Sequence, residues 1–446
     1  MFNLFIYIYN IKKIIWKSII EPIKKIGRVS FFHWLYYSLI LVFTYFSLFY
    51  KFNYNIISIF SKIMFGIFTF TNIVIIFNIV SNIKKLNSSK EELNNNDIKL
   101  ENNNINKKNT YPNIYYIIPD SYPGQKTLKK YCNLENYDFL NYLKDHNFNI
   151  YNDALSNYRS TMISIPSTLN MDYLSNTCNR LNDINYNPHI KKIWDNNQLF
   201  QYLSKRGYKI IELLSQWGRD QEFNTPSTKI SMGKNSYSFF EVLLEDGIFS
   251  PIIKYLNALQ LIKETENIEK FFVNMKIKDE PTFIFAHFLL PHPRFLFKKN
   301  LKPKISKLLI KTKVENEKIE DLVNQIEYVN KLLKNIIDNI LIKDKDSIII
   351  LQSDHGIHMY NFSFVKKIHS LNFDETQYNI LKAIYYKGEK IDINTRTSVN
   401  TFRELINLIF NDKLEMLDEK IYVNYPYEKV GVINSIFEEK NIEELM

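Results

Sequence analysis

The chain has 446 residues, 57 Lys and Arg against 47 Asp and Glu for a formal net charge of +10, and 46% hydrophobic residues. That length suits one large domain or two ordinary ones, with enough apolar material for a sizeable core. Two Cys exclude a disulfide scaffold, and 10 Gly with 13 Pro exclude collagen-like and Pro/Gly-rich disordered chains. The charge is uneven: residues 1–108 hold 14 Lys/Arg and 5 Asp/Glu, whereas residues 109–446 hold 43 and 42. A nucleic-acid-binding domain carries its own basic patch, so no nucleic-acid partner is expected, and the basic front end fits a membrane anchor.

Two stretches lack any formally charged side chain, the 22 residues Val29–Tyr50 and the 21 residues Ile63–Ile83. Each is long enough to cross about 30 Å of hydrocarbon as a helix. They predict a two-helix anchor over residues 1–85 with spans at 29–50 and 63–83. Lys24, Lys25 and Arg28 precede the first span, Lys84 and Lys85 follow the second, and Trp34, Tyr36, Tyr37 and Tyr50 lie toward the ends of the first. The competing reading is two buried core helices. Met1–Ile11 is apolar but too short to span, and with no basic segment ahead of it a cleaved signal peptide is not expected. Six basic residues precede the first span, which puts that end in the cytoplasm and, after two spans, returns the large domain there. Residues 86–112, polar and Asn-rich without periodicity, read as a linker to a domain over 113–446.

Short apolar runs at Asn113–Ile118, Thr282–Leu290 and Ser347–Leu351 read as buried strands, with further strands at Tyr208–Leu213 and Ile380–Tyr386. Between them, apolar residues from Ile319 through Leu322, Ile326, Val329, Leu333 and Ile336 to Ile340 form a helical stripe, and Phe139–Leu143 and Thr401–Phe410 add helices. Strands alternating with helices predict an α/β fold around a largely parallel sheet. Ligands bind such sheets at the carboxyl ends of the strands. Asp120 follows the first of the three main runs, His287 lies in the second with His292 just beyond, and Asp354, His355 and His358 follow the third, in a chain with only eight His. Aspartate and histidine together are metal-ligand types, and Gly356 lets the backbone turn tightly beside them. Asn157-Tyr158-Arg159-Ser160-Thr161 puts hydroxyls just ahead of a helix expected to begin near Met162, where a hydroxyl is either a helix cap or, beside a metal, a nucleophile toward phosphate or sulfate esters. Cys132 and Cys178 are open to either pairing or remaining thiols.

Four ordered blocks carry a resemblance: Pro112 to Tyr122 (PNIYYIIPDSY); Ser156 to Thr161 (SNYRST) followed by Ser167 to Met171 (STLNM); Phe285-Ala286-His287 with Pro291-His292-Pro293; and Gln352-Ser353-Asp354-His355-Gly356. Over roughly residues 112–425 the chain resembles the alkaline phosphatase superfamily, in particular its membrane-anchored sulfatase-like branch that includes lipoteichoic acid synthases and phosphoethanolamine transferases. The resemblance implies a central mostly parallel sheet flanked by helices behind an N-terminal transmembrane anchor. It implies a metal site of Asp120, Thr161, Asp354 and His355, with Thr161 the nucleophile that forms a covalent intermediate. His292, and after it His287, are the implied substrate-side acid/base histidines, and packed structural histidines are the competing reading for both. Arg159 and Arg294 are placed to clamp an anionic ester, as a guanidinium can, and surface positions are the competing reading.

The expected cofactor is one divalent metal ion, Mn²⁺ or Zn²⁺ ahead of Mg²⁺, since the ligand set mixes oxygen and nitrogen and no second acidic cluster is evident. The expected function is transfer of a phospholipid-derived phospho-head-group to a cell-surface glycan or glycolipid, so the partners are a membrane phospholipid donor, that acceptor and the lipid bilayer. A membrane-anchored phosphate or sulfate ester hydrolase is the alternative, and an inactive binding protein of the same fold the second. Family members work outside the cytoplasm, against the charge count above, and the expectation follows the family. Two departures stand out. Ser121 follows Asp120 where the branch usually has Gly, and Thr168 stands where the formylglycine segment of sulfatases carries Arg, which weakens the expectation of sulfate ester hydrolysis.

Overall fold

A parallel sheet covered on both faces requires strands that are apolar throughout, and all five predicted runs are strands of one seven-stranded sheet. The computed structural model describes residue 62 and residues 111–174, 193–215, 227–233, 250–303, 318–357, 375–391, 393, 395–429 and 432–441. The predicted spans at 29–50 and 63–83, most of the linker, Cys178 and His358 lie outside the described residues. Among the described residues no helix is long and apolar enough to cross a membrane. The chain divides into two units, residues 1–104 with 237–254 and residues 105–236 with 255–446, and the elements below belong to the second apart from the start of α5.

In chain order the elements are β1 (Ile114–Pro119), α1 (Gln125–Cys132), α2 (Tyr137–Asp145), β2 (Asn149–Ile150), α3 (Thr161–Asn170), α4 (Gln198–Lys205), β3 (Lys209–Leu214) and β4 (Ser227–Ser231). They continue with α5 (Ser250–Asn274), β5 (Thr282–Phe288), α6 (Ile319–Lys343), β6 (Ile348–Gln352), β7 (Lys382–Tyr386), α7 (Ser398–Phe410) and a hairpin of β8 (Lys420–Lys429) with β9 (Val432–Asn441). The sheet order is β2-β7-β6-β1-β5-β3-β4. β1 sits at the centre and pairs in parallel with β5 and β6, so that Ile117 lies level with Ala286 on one side and Leu351 on the other. β3 is parallel to β5 and β4, whereas β7 runs antiparallel to β6 and β2 antiparallel to β7. The sheet is therefore mostly parallel.

Strand periodicity divides the core in two. On one face Tyr115, Ile117, Ile284, Ala286, Ile349 and Leu351 pack with Leu128 of α1, Phe139 and Leu143 of α2, Phe272 of α5 and the Leu322–Ile340 stripe of α6. On the other face Tyr116, Ile118, Phe283, Phe285 and Ile350 meet Ile165 and Leu169 of α3, Phe200 of α4 and Phe402 of α7. Each such buried side chain contributes about 2 kcal/mol of hydrophobic free energy. The α3 face is the one that matters for chemistry, because it brings the start of that helix over the carboxyl ends of β1 and β6.

One buried charge stands apart from that region. Lys382, the first residue of β7, is 1% exposed, donates its Nζ to the Thr395 carbonyl at 2.9 Å and lies 5.2 Å from the centre of the Tyr151 ring. Burial lowers its pKa from 10.5 to about 8, against the pull of Glu404, Glu419 and Asp153. The unfolded chain therefore binds more protons than the folded one between those values, so stability tied to this group is absent below pH 8 and is gained as the pH rises to 10.5. In denaturant titrations of the full-length chain in detergent, the unfolding free energy of wild type relative to Lys382→Met is expected to climb through that window, by up to about 1.4 kcal/mol per pH unit. A difference independent of pH would show that Lys382 does not titrate there.

Candidate metal and nucleophile site

Three neighbouring parallel strands deliver the site. Asp120 follows β1, His287 is the penultimate residue of β5 and lies level with Ile118, and Asp354 and His355 follow β6. All four are buried, between 2% and 4% exposed. Thr161 opens α3, and Ser160 before it is the extended N-cap residue. The helix is fastened to the loop after β6 by Ser164, whose Oγ donates to the Asp354 carbonyl at 2.5 Å. That contact carries the Thr161 hydroxyl to 3.2 Å from His355 Nε2. The loop packs closely against residues 376–379, because a Cβ on Gly356 would lie 2.1 Å from the Thr376 carbonyl oxygen and 2.7 Å from that of Asn379.

The polar atoms converge. His355 Nε2 lies 3.6 Å from Asp120 Oδ1 and 3.5 Å from Asp354 Oδ2, and His287 Nε2 lies 3.5 Å from Asp120 Oδ2. At 3.5 Å the last contact is electrostatic, too long for a good hydrogen bond. The His355 Nδ1 faces the Gly356 carbonyl at 2.7 Å, and a carbonyl only accepts, so Nδ1 carries a proton and Nε2 is the ring atom turned to Thr161 and the carboxylates. Burial pushes the Asp120 carboxyl up, but His292, His287 and His355 outweigh it and hold it well below the usual carboxylate range. Burial disfavours the charged form of His355, yet Asp354 and Asp120 with the Gly356 carbonyl hold its pKa above the ordinary value.

Two buried atoms in this cluster, Asp354 Oδ2 and His287 Nε2, have no hydrogen-bond partner. Asp120, His287 and Asp354 each turn a ligand-type atom toward the others, all within 4.8 Å. Two buried carboxylates this close are costly unless a cation joins them, and the mixed oxygen and nitrogen donors suit a divalent ion. The residues present therefore fit a metal. His287, which the sequence placed on the substrate side, stands among the ligand-type atoms.

The remaining predicted residues lie around the cluster. His292 is exposed, its ring 6.5 Å from that of His355, and its Nδ1 faces the Pro293 carbonyl at 2.7 Å. Arg159 is partly buried and donates to Gln377 Oε1 at 3.3 Å, while Arg294 is exposed. Sequence reasoning missed Gln325 of α6, fully buried, whose Oε1 accepts from the Leu296 amide while its Nε2 donates to the carbonyls of Pro291 and His292 at 3.1 Å. It holds the His292 segment in place. The available signal was a polar side chain three residues after Leu322 and four before Val329, a position on the apolar stripe.

A family model described as Sulfatase matches residues 112–401. The chain belongs to the sulfatase family. Within the alkaline phosphatase and sulfatase superfamily that the fold represents, it is similar to the C-terminal periplasmic domain of EcEptC from Escherichia coli in complex with Zn, at 14% identity over 74% of this chain and 94% of that one, with a TM-score of 0.50. Two others are the C-terminal periplasmic domain of phosphoethanolamine transferase EptC from Campylobacter jejuni (16%, 69% and 91%, TM-score 0.40) and the phosphonate monoester hydrolase of Agrobacterium radiobacter (12%, 72% and 81%, TM-score 0.42). No curated protein matches the chain. The likeness to the first of these structures is one of fold. The sulfatase-family region contains every cluster residue, from Asp120 to His355.

Proposed function

We propose that this chain is a metal-dependent phosphotransferase that moves the phospho-head-group of a membrane phospholipid to a hydroxyl of a cell-surface glycan or glycolipid through an ester on Thr161. The reading rests on one observation, the Thr161 hydroxyl at the start of α3, 3.2 Å from His355 Nε2 and at the edge of the buried cluster. A secondary alcohol oxidises to a ketone and not to an aldehyde, so Thr161 cannot itself become formylglycine. Ser164, which stands at the convertible position, lacks the segment's Arg at Thr168 and gives its hydroxyl to the Asp354 carbonyl. The Thr161 hydroxyl is the group read as forming the ester. A divalent ion, Zn²⁺ or Mn²⁺, held by Asp120, Asp354 and His355 with His287 in reach, would lower the pKa of that hydroxyl and offset charge on the phosphoryl oxygens.

The protein's own groups divide the remaining work. Thr161 Oγ1 attacks phosphorus from the positive end of α3. His292 takes the acid/base role ahead of His287, because it is exposed whereas His287 is 3% exposed and cannot meet an incoming acceptor. With Nδ1–H given to the Pro293 carbonyl, the His292 Nε2 is the atom that protonates the leaving alkoxide and then takes the acceptor's proton. Arg159, two residues before Thr161, is placed to bind the phosphate, and Arg294 beside His292 extends that contact. A surface acceptor requires the catalytic domain at the outer face of the bilayer, and a tether there raises the effective concentration of lipid substrates.

The test is the intact mass of the full-length chain, loaded with Zn²⁺ or Mn²⁺ and mixed with phospholipid vesicles, for wild type and Thr161→Ala. A head-group-phosphate adduct on wild type alone is the expected result and names the donor by its mass. Hydrolysis of soluble phosphodiesters without any adduct or lipid turnover would replace the transferase by the hydrolase, and no turnover of any ester would leave the inert binding protein. A C-terminal reporter on the same chain, active only in the cytoplasm, would overturn the placement and the surface acceptor with it.

A further inference from the structure

Ser121 touches three residues of the cluster, Asp120, Asp354 and His355. Its backbone takes the left-handed conformation, φ 59°, which glycine adopts freely and a side chain disfavours. The residue is 1% exposed, so its hydroxyl is set among protein groups and not toward solvent. The Ser121 amide donates to Asp354 Oδ1 at 3.1 Å, and any residue but proline at this position could make that bond. The hydroxyl makes two contacts that glycine cannot: Oγ lies 2.9 Å from Asp120 Oδ1 and 3.3 Å from His355 Nδ1.

His355 Nδ1–H points at the Gly356 carbonyl at 2.7 Å, so Nδ1 has no lone pair to offer Ser121, and at 3.3 Å Oγ accepts only the weaker share of that proton. The Ser121 proton then goes to the Asp120 carboxylate, which only accepts. One hydroxyl thus bridges a carboxylate and an imidazole. It turns Asp120 so that Oδ2 faces His287, and it helps hold the His355 ring so that Nε2 faces Thr161.

We infer that Ser121 is a positioning residue of the metal centre, its hydroxyl presetting Asp120 and His355 for the cation at the cost of a left-handed backbone. This rests on the reading of the cluster as a metal site. Groups that hydrogen-bond metal ligands typically change affinity tenfold to a hundredfold when removed. The test titrates Zn²⁺ against a chromophoric chelator with the full-length chain in detergent, for wild type, Ser121→Gly and Ser121→Ala, together with the unfolding midpoint of each metal-free protein. Both variants are expected to lose roughly tenfold to a hundredfold in Zn²⁺ affinity, with the Gly variant melting above the Ala variant because it relieves the backbone. A purely structural role would make affinity follow the melting order and spare the Gly variant. Variants that bind Zn²⁺ as tightly as wild type would overturn the role of Ser121 and leave the metal centre standing, whereas a wild type that binds no Zn²⁺ would remove the centre itself.

Discussion

Asp354→Asn is expected to abolish metal-dependent ester turnover, with a loss of at least about a thousandfold, while the domain stays folded. Asparagine keeps the shape of the side chain, and its carbonyl oxygen can still accept from the Ser121 amide as Asp354 Oδ1 does at 3.1 Å. What changes is Oδ2, the buried oxygen with no hydrogen-bond partner, 3.5 Å from His355 Nε2. Removing one partner of a buried charge pair costs about 3–5 kcal/mol, which is a hundredfold or more in cation affinity. A melting series separates this from misfolding. Wild type at a metal concentration a hundred times its Kd should gain about 2.7 kcal/mol of stability, whereas the variant should melt at one temperature with or without Zn²⁺. A variant that kept the metal-induced shift would place the ion somewhere other than between Asp120, His287 and Asp354.

How far the sequence foretold this arrangement depended on which physical signal each element leaves. β1, β5, β6 and β7 are buried on both faces, so they read as largely apolar runs, broken by Lys382 in β7 and His287 in β5, and were found to within a few residues. α6 carries its stripe in plain view for the opposite reason, since one side of it is buried and the other is open to solvent. α3 did not announce itself beyond its first residues, because it contains Pro166, three Ser or Thr after Thr161, and is buried almost all round, which erases the one-sided pattern. α1 buries only Thr127, Leu128 and Cys132 of eight residues, and β4 is half-exposed. The antiparallel direction of β7 has no trace in an apolar run, since hydrophobicity marks a strand and says nothing of its polarity. That direction matters, because it returns residues 376–379 to the loop that carries Asp354 and His355.

The site divides the same way. Asp120, Thr161, Asp354 and His355 were legible by residue type at strand and helix ends. The position of His287 follows from alternation: it shares its side of β5 with Phe283 and Phe285, which face α3 and α7, and so it stands on the side where Thr161 enters. Ser121 was visible as a departure from glycine, but its contacts with Asp120 and His355 depend on the left-handed turn, which only coordinates supply.

Gly356→Ala should be the most damaging small substitution near the site. The added Cβ would stand 2.1 Å from the Thr376 carbonyl oxygen, 2.7 Å from that of Asn379 and 3.0 Å from the Gln377 carbonyl carbon, all backbone atoms that cannot rotate aside. The two segments cannot part freely either, since the Gly356 amide donates to the Gln377 carbonyl at 2.8 Å and the Ser353 amide to Leu381 at 2.9 Å. Overpacking of this kind costs about 3 kcal/mol or more, enough to lower the melting temperature of a domain this large by roughly four degrees or more, and whatever shift relieves it moves Asp354 and His355 out of register with Asp120. Gly207→Ala is the matched control. Gly207 has φ +86° but nothing within 4 Å of an added Cβ, so it should cost only about 1–2 kcal/mol of backbone strain and leave Zn²⁺ affinity and turnover unchanged. Equal melting and equal Zn²⁺ affinity in the two variants would mean that the loop after β6 is not wedged against residues 376–379, and that the metal ligands owe their placement to the strands alone.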